Sequence, residues 1–229
     1  EQGFLDTDER TTLAQAPSLG IHESQSRMWE NIIGRSLPFW KHYTPFLRKQ
    51  YPGQLDAVSP EDLYRAINIV EPTFIRVEAD ECTYNLHVIL RFEIEVDLIE
   101  GRIAVADIPE LWNHKMKDYL GLDVPDDAKG CLQDIHWSHG SIGYFPTYAL
   151  GNLYSAQLFE TIERDLPNLW DDVAQGNFSG LLEWLRENVH RHGRRKTAIE
   201  IVTDATGKSP DAKAYLNYLE TKYTALYEL

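Results

Sequence analysis

The 229-residue sequence predicts a mainly α-helical fold, and three observations carry that expectation. Helix punctuation recurs along the chain, apolar residues fall at three- and four-residue spacing, and only 14 Gly and 11 Pro interrupt them. Eight Phe, six Trp and twelve Tyr supply ample core material, which excludes a disordered chain. The length suits one large domain or two small ones.

About eight helices are expected. The stretch Gly20-Ile21-His22-Glu23-Ser24-Gln25 reads as a helix start, with Glu23 a first-turn acid paired to Arg27 four residues on. A break falls near Tyr51-Pro52-Gly53. Next, Ser59-Pro60-Glu61-Asp62 offers an N-cap, a proline at the first helical position and acids in the first turn.

Leu86, Val88, Leu90, Phe92, Ile94, Val96 and Leu98 alternate with mostly polar neighbours, which is a strand signal. The run is more than twice the ~5–6 residues of a typical strand and contains no turn residue. Length therefore favours a buried helix, with Ile89, Phe92, Val96 and Ile99 on one face and Leu86, Leu90, Ile94 and Leu98 on another.

Asp107 with Glu110 has capping-box spacing, and Gly121 stops the segment around Leu111-Trp112. A second break covers residues 123–129. Ser179 opens a helix through Leu181, Trp184 and Leu185 that should end at Gly193. Thr197 with Glu200 starts a short helix that Gly207 closes. Ser209-Pro210 then begins the last one, where Tyr215, Leu219 and Tyr223 share a face.

Charge narrows the function classes. The chain has 22 basic against 36 acidic residues, net −14, with no basic block to neutralise phosphates, so no nucleic-acid partner is expected. Only residues 190–196 are locally basic. They read as a helix C-terminus, where arginines beside His190 and His192 would repel a metal. Cys82 and Cys131 form no C-x-x-C motif, which suits a reducing, cytoplasmic compartment. No apolar stretch approaches the ~20 residues of a membrane span, so no membrane partner is expected. The opening Glu1-Gln2-Gly3 lacks both a Met and a signal-peptide pattern, which suggests part of a longer polypeptide.

Three clusters can carry chemistry. His22-Glu23 is the first. The second is Ile75-Arg76-Val77-Glu78-Ala79-Asp80, where the four-residue spacing allows an ordinary Arg76–Asp80 pair. The third runs from Gly130 to Tyr148 and packs Asp134, His136, His139, Tyr144 and Tyr148 into a glycine-containing segment between helices. It reads equally as a site or as buried scaffold. Its Asp-x-His-x-x-His spacing also leaves a metal set open, without a complete ligand geometry.

Together the clusters resemble a known family. His22-Glu23-Ser24-Gln25, Ile75-Arg76-x-x-Ala79-Asp80 and Gly130-x-x-Gln133-Asp134-x-His136-Trp137 match, in order, three signature motifs of the thermostable carboxypeptidases (metallopeptidase family M-thirty-two). Gly143-Tyr144-Phe145-Pro146-Thr147-Tyr148 is also similar to that family. The resemblance spans essentially the whole chain. It implies the helical half of a two-lobed, groove-containing, zincin-like metallopeptidase. Residues 1–229 are then the C-terminal portion of a single metallocarboxypeptidase catalytic domain. The family's H-E-x-x-H helix, with two His ligands and the Glu that activates water, is absent. This segment alone is therefore expected to be inactive and to retain no zinc.

The resemblance also implies roles. Glu23 is similar to the third protein ligand of the zinc (cobalt also serves in this family), with His22 supporting it. Arg76 resembles the residue that grips the free carboxylate of a peptide's C-terminus. His139 and Tyr144 have the spacing of a catalytic His and Tyr in the wider group that includes thimet-type oligopeptidases. Tyr148, one turn on, and His136 fall to substrate binding, and Asp134 can orient an imidazole. A homodimer is a further implication. A different class is a non-catalytic helical module that binds peptides or a partner through its groove.

Overall fold

A computed structural model describes residues 3–229; the expectation placed on Glu1 and Gln2 lies outside the described residues. The fold is all-helical, and no strand occurs among the described residues. Among the described residues ten α-helices are present rather than eight: α1 (Leu19–Arg27), α2 (Leu37–Gln50), α3 (Pro60–Ile67), α4 (Tyr84–Ile99), α5 (Ile108–Leu120), α6 (Pro146–Asp165), α7 (Leu169–Ala174), α8 (Ser179–Asn188), α9 (Ala198–Thr206) and α10 (Lys213–Tyr227). Short 3₁₀ turns and one π-turn, Met28–Ile33 directly after α1, lie between them. No helix is long and apolar enough to cross a membrane among the described residues.

Several ends fall where the sequence puts them. Ser59 accepts from the Asp62 amide while the Asp62 carboxylate accepts from Ser59, a reciprocal cap. Thr197 and Glu200 do the same for α9. Gly121 and Gly207 are left-handed C-caps of α5 and α9. Three expectations fail locally. Asp107 stands at the N-cap position of α5 but gives the helix no side-chain cap, because its carboxylate accepts from the Ala104 amide, 2.8 Å away, and caps the preceding 3₁₀ turn. Helix α8 ends at Asn188, because Val189 leaves helical geometry and His190–Arg195 forms a separate 3₁₀ turn. The basic run is therefore not a helix end; its Arg195 pairs with the buried carboxylate of Asp8. Helix α10 starts after Ala212, three residues later than Ser209-Pro210 suggests.

The chain divides into two compact units. The first comprises residues 1–68 and 150–229, with α1–α3, α7–α10 and α6 from Leu150 onward. Its core gathers Ile21, Met28 and Ile32 with Leu158 and Ile162 of α6, Leu185 of α8 and Ile201 of α9. The second unit, residues 69–149, holds α4 packed on α5. One of its clusters joins Leu90 and Ile94 to Trp112 and Met116, and another joins Ala79, Tyr84, Val88 and Phe145.

The alternating stretch is thus the helix α4, and only one of its two apolar faces is buried. Leu90 and Ile94 are fully enclosed, whereas Ile89 (41%), Phe92 (47%) and Ile99 (71%) remain exposed. Ile94→Ala should therefore cost about 2–5 kcal/mol by leaving a cavity. Phe92→Ala should cost under about 1 kcal/mol. Chemical denaturation of the two variants checks this, and equal losses would place α4 the other way round.

Candidate functional site

The signature residues fall into both units. Glu23 lies on α1, whose N-terminus Ser18 caps by accepting from the Ile21 amide. The Glu23 carboxylate receives Arg27 Nε at 2.8 Å and Ser26 Oγ at 2.9 Å, so the Glu23–Arg27 pair expected from spacing is formed. Gly151 of α6 faces its stem: a Cβ at that glycine would stand 2.5 Å from Glu23 Cγ. Only a glycine lets the two helices approach this closely, and that contact fixes where the carboxylate sits. Gln25, from the same motif, accepts through Oε1 from His190 Nε2 at 2.9 Å and donates through Nε2 to Ser24 Oγ at 3.0 Å. Burial pulls His190 down to about 4, so this anchor is neutral at pH 7. His22 is exposed.

In the second unit the other candidates converge. Arg76 is buried at 4% exposure in the 3₁₀ turn Arg76–Glu78. A 3₁₀ turn does not bring residues four apart together, so the Arg76–Asp80 pair is not formed. Asp80 instead accepts from the amides of Glu71, Cys82 and Thr83 and from the Thr83 hydroxyl. Arg76 turns to Asp134, donating from Nε at 3.1 Å and Nη2 at 2.6 Å, and gives Nη1 to the Tyr84 hydroxyl at 2.7 Å. The other Asp134 oxygen takes Nε of Arg91, 2.7 Å away on α4. Next to it, Gln133 Oε1 accepts from the Arg76 amide and from Arg91 Nη2, while its Nε2 donates to the Phe74 carbonyl.

Two guanidiniums thus share one carboxylate. Burial pulls Arg91 down to about 10, which still leaves it charged at neutral pH. Burial alone would raise the Asp134 carboxyl, but Arg91 and Arg76 outweigh it and hold it below the ordinary carboxylate range. One positive charge remains uncompensated by Asp134. It lies against the Tyr148 ring, 4.6 Å from Arg76 Cζ to the ring centroid.

His136 sits at the centre of the aromatic residues. Its ring packs 4.4 Å from Phe145 and 5.2 Å from Tyr144, and its Nε2 meets the Tyr148 hydroxyl at 2.9 Å. Nδ1 stands 3.7 Å from Asp134, beyond hydrogen-bonding distance. Burial pulls this imidazole below its ordinary value against the opposing effect of Asp134. His139 is exposed and contacts Ser141 Oγ through Nδ1 at 3.0 Å. The open metal reading of Asp134, His136 and His139 is corrected: Asp134 is committed to two arginines. No group of three or more His, Cys, Asp or Glu converges on a metal position among the described residues. Arg91 and Tyr84 were not among the sequence candidates, and Gln133 was named only as a motif residue without a role. The only sequence signal for Arg91 was a charge inside the apolar run from Val88 to Phe92.

With this geometry in view, known proteins give a consistent match. Residues 1–223 match the family model described as Carboxypeptidase Taq (M32) metallopeptidase. The chain is 47% identical to Thermostable carboxypeptidase 1 of Thermus thermophilus over 99% of its own length and 44% of that protein. It is 45% identical to Carboxypeptidase 1 of Bacillus subtilis, covering 46% of it. The crystal structure of an M32 carboxypeptidase from Deinococcus radiodurans R1 superposes over the whole chain and 46% of that structure, with TM-score 0.96 and 47% identity. The chain therefore spans somewhat under half the length of these relatives.

Removing the shared carboxylate should expose its importance. Asp134→Asn leaves two buried guanidiniums without their anion and should cost about 3–5 kcal/mol. Because the folded pKa of Asp134 lies below its unfolded value of about 3.9, its contribution is full above that value. It is lost as pH falls through the lower folded value. Acid unfolding followed on the second unit should show this loss, and the Asn variant should lack that step.

Proposed function

The chain belongs to the Carboxypeptidase Taq (M32) metallopeptidase family, and on that premise we propose that residues 1–229 form the C-terminal portion of a single metallocarboxypeptidase domain. The whole domain would remove C-terminal residues from peptides in the cytoplasm, with zinc as its metal, and would act as a homodimer. The observation that carries this reading is the convergence of Arg76, His136, Tyr144 and Tyr148 around one net positive charge.

The donor set fits a partial metal site. Glu23 is one positioned carboxylate, suited to a borderline dication. The remaining ligands and the water-activating Glu would come from the H-E-x-x-H helix that the resemblance implies. Zinc bound there would polarise the scissile carbonyl and activate water.

The chain's own residues would do the binding and orienting. A free C-terminal carboxylate is drawn to the charge that Arg76 and Arg91 hold in excess of Asp134. Arg76 has two N–H groups left after Asp134 and Tyr84, so it can donate to that carboxylate without leaving its anchor. Tyr148, fixed by His136, offers a hydroxyl at the same place. Tyr144 and His139 would donate to the oxygen that gains charge as the peptide bond is attacked.

The test joins this chain to the H-E-x-x-H portion of a relative. The joined protein should bind zinc and release C-terminal residues from free peptides but scarcely from C-terminally amidated ones. Glu23→Gln should lower retained zinc at least about tenfold, and the 229-residue chain alone should release nothing. Zinc-dependent release by the chain alone, or unchanged zinc in the Gln variant, would contradict the reading.

A further inference from the structure

Helix α4 carries a buried polar stripe, His87, Arg91 and Glu95, at four-residue spacing. Arg91 is accounted for by Asp134. Glu95 has a different use. At 3% exposure it accepts from Trp137 Nε1 at 2.8 Å through one oxygen and from the Gly143 amide at 3.0 Å through the other. No lysine or arginine pairs with it among the described residues.

Burying a carboxylate without a cation is costly. A position that only had to be filled is better served by an apolar side chain. One that only needed a single acceptor is served by Gln. A carboxylate is required where two donors arrive on two oxygens, because Gln would turn its own NH₂ group toward one of the N–H groups.

The two donors have a telling placement. Trp137 and Gly143 bracket residues 138–142, whose Ser138, His139, Gly140 and Ile142 are exposed. Gly143 adopts φ +78°, a conformation other residues take only with strain, and Tyr144 follows it directly. Tyr144 then packs 5.2 Å from His136 and 5.5 Å from Tyr148. Trp137 is held in turn by edge contacts with Trp112 and Phe145. Both ends of the loop are therefore pinned to α4 while its middle stays open.

We infer that Glu95 is a positioning residue that sets the His139 loop and the Tyr144 ring for a peptide's C-terminal end. The inference rests on the reading of this loop as substrate-binding.

The experiment uses the 229-residue chain with Glu95→Gln, and Glu93→Gln as the control carboxylate on the same helix. Hydrogen exchange and NMR follow the loop, and a tripeptide with a free C-terminus, beside its amide, probes binding. In Glu95→Gln the Gly143 amide should exchange at least about tenfold faster, and the His136 and His139 ring signals should move. The amides of α9 should be unchanged, and Glu93→Gln, which touches only Lys115 and Tyr119 of α5, should leave the Gly143 amide and the two ring signals as they were. Affinity for the free tripeptide should fall at least about fivefold, with weak binding of the amide unchanged. Should Glu95→Gln unfold the chain, Trp137→Phe removes one donor and keeps the ring; it should show the same changes at Gly143 in smaller degree. An unaltered Gly143 amide and unmoved ring signals in the folded variant would overturn the inference. A loosened loop, with no tripeptide-induced change at His139 or Tyr144 in the unsubstituted chain, would instead refute the substrate reading and reduce Glu95 to a scaffold residue.

Discussion

The second unit depends on one carboxylate. Asp134 receives Arg76 on one oxygen and Arg91 on the other, and all three side chains are withdrawn from water. In that setting each charge needs the others, since an arginine buried alone is far more costly than an arginine in a fork. The pairing also fixes position. Arg76 brings the turn before α4, Arg91 brings α4 itself, and Asp134 brings the segment holding His136 and Trp137. Gln133 repeats the connection through backbone groups, so neighbouring motif residues join the same three pieces.

This arrangement changes what Arg76 can be. An arginine waiting for a substrate is usually pictured with its fork open. Here the fork is engaged, and the electrostatic pull on a carboxylate comes from two arginines exceeding one anion. The role suggested by resemblance is compatible with that geometry only if the remaining N–H groups and the Tyr148 hydroxyl do the contacting. Glu23 is handled differently: its carboxylate is steadied by Arg27 and Ser26, and its backbone by the close approach of Gly151. In both places a charged group is held by a neighbouring side chain.

Much of the fold was legible in local chemistry. The caps at Ser59 and Thr197 and the stops at Gly121 and Gly207 are short-range interactions, so the sequence exposes them directly. The motif order also pointed to the family before any geometry was known. What stayed hidden was long-range. Asp134 meets Arg91 across 43 residues and Arg76 across 58, and no spacing rule reaches that far. For the same reason the Arg76–Asp80 pair was a reasonable expectation with the wrong partner. Glu95 was invisible because Glu93, Glu95 and Asp97 alternate with Phe92, Ile94, Val96 and Leu98, so no spacing marks one of the three acids as buried. In the basic run, Gly193 with φ +46° lies within a separate turn after α8, a tertiary outcome that composition does not specify.

The central claim is that Arg76 and Asp134 act as one unit rather than as two separate stabilising residues. A double-mutant cycle with Arg76→Met and Asp134→Leu, read from the hydrogen exchange of α4 amides, measures that coupling directly. The account predicts a coupling energy of about 2 kcal/mol or more, with the double variant no less stable than Asp134→Leu alone. A coupling below about 0.5 kcal/mol, with simply additive losses, would contradict it.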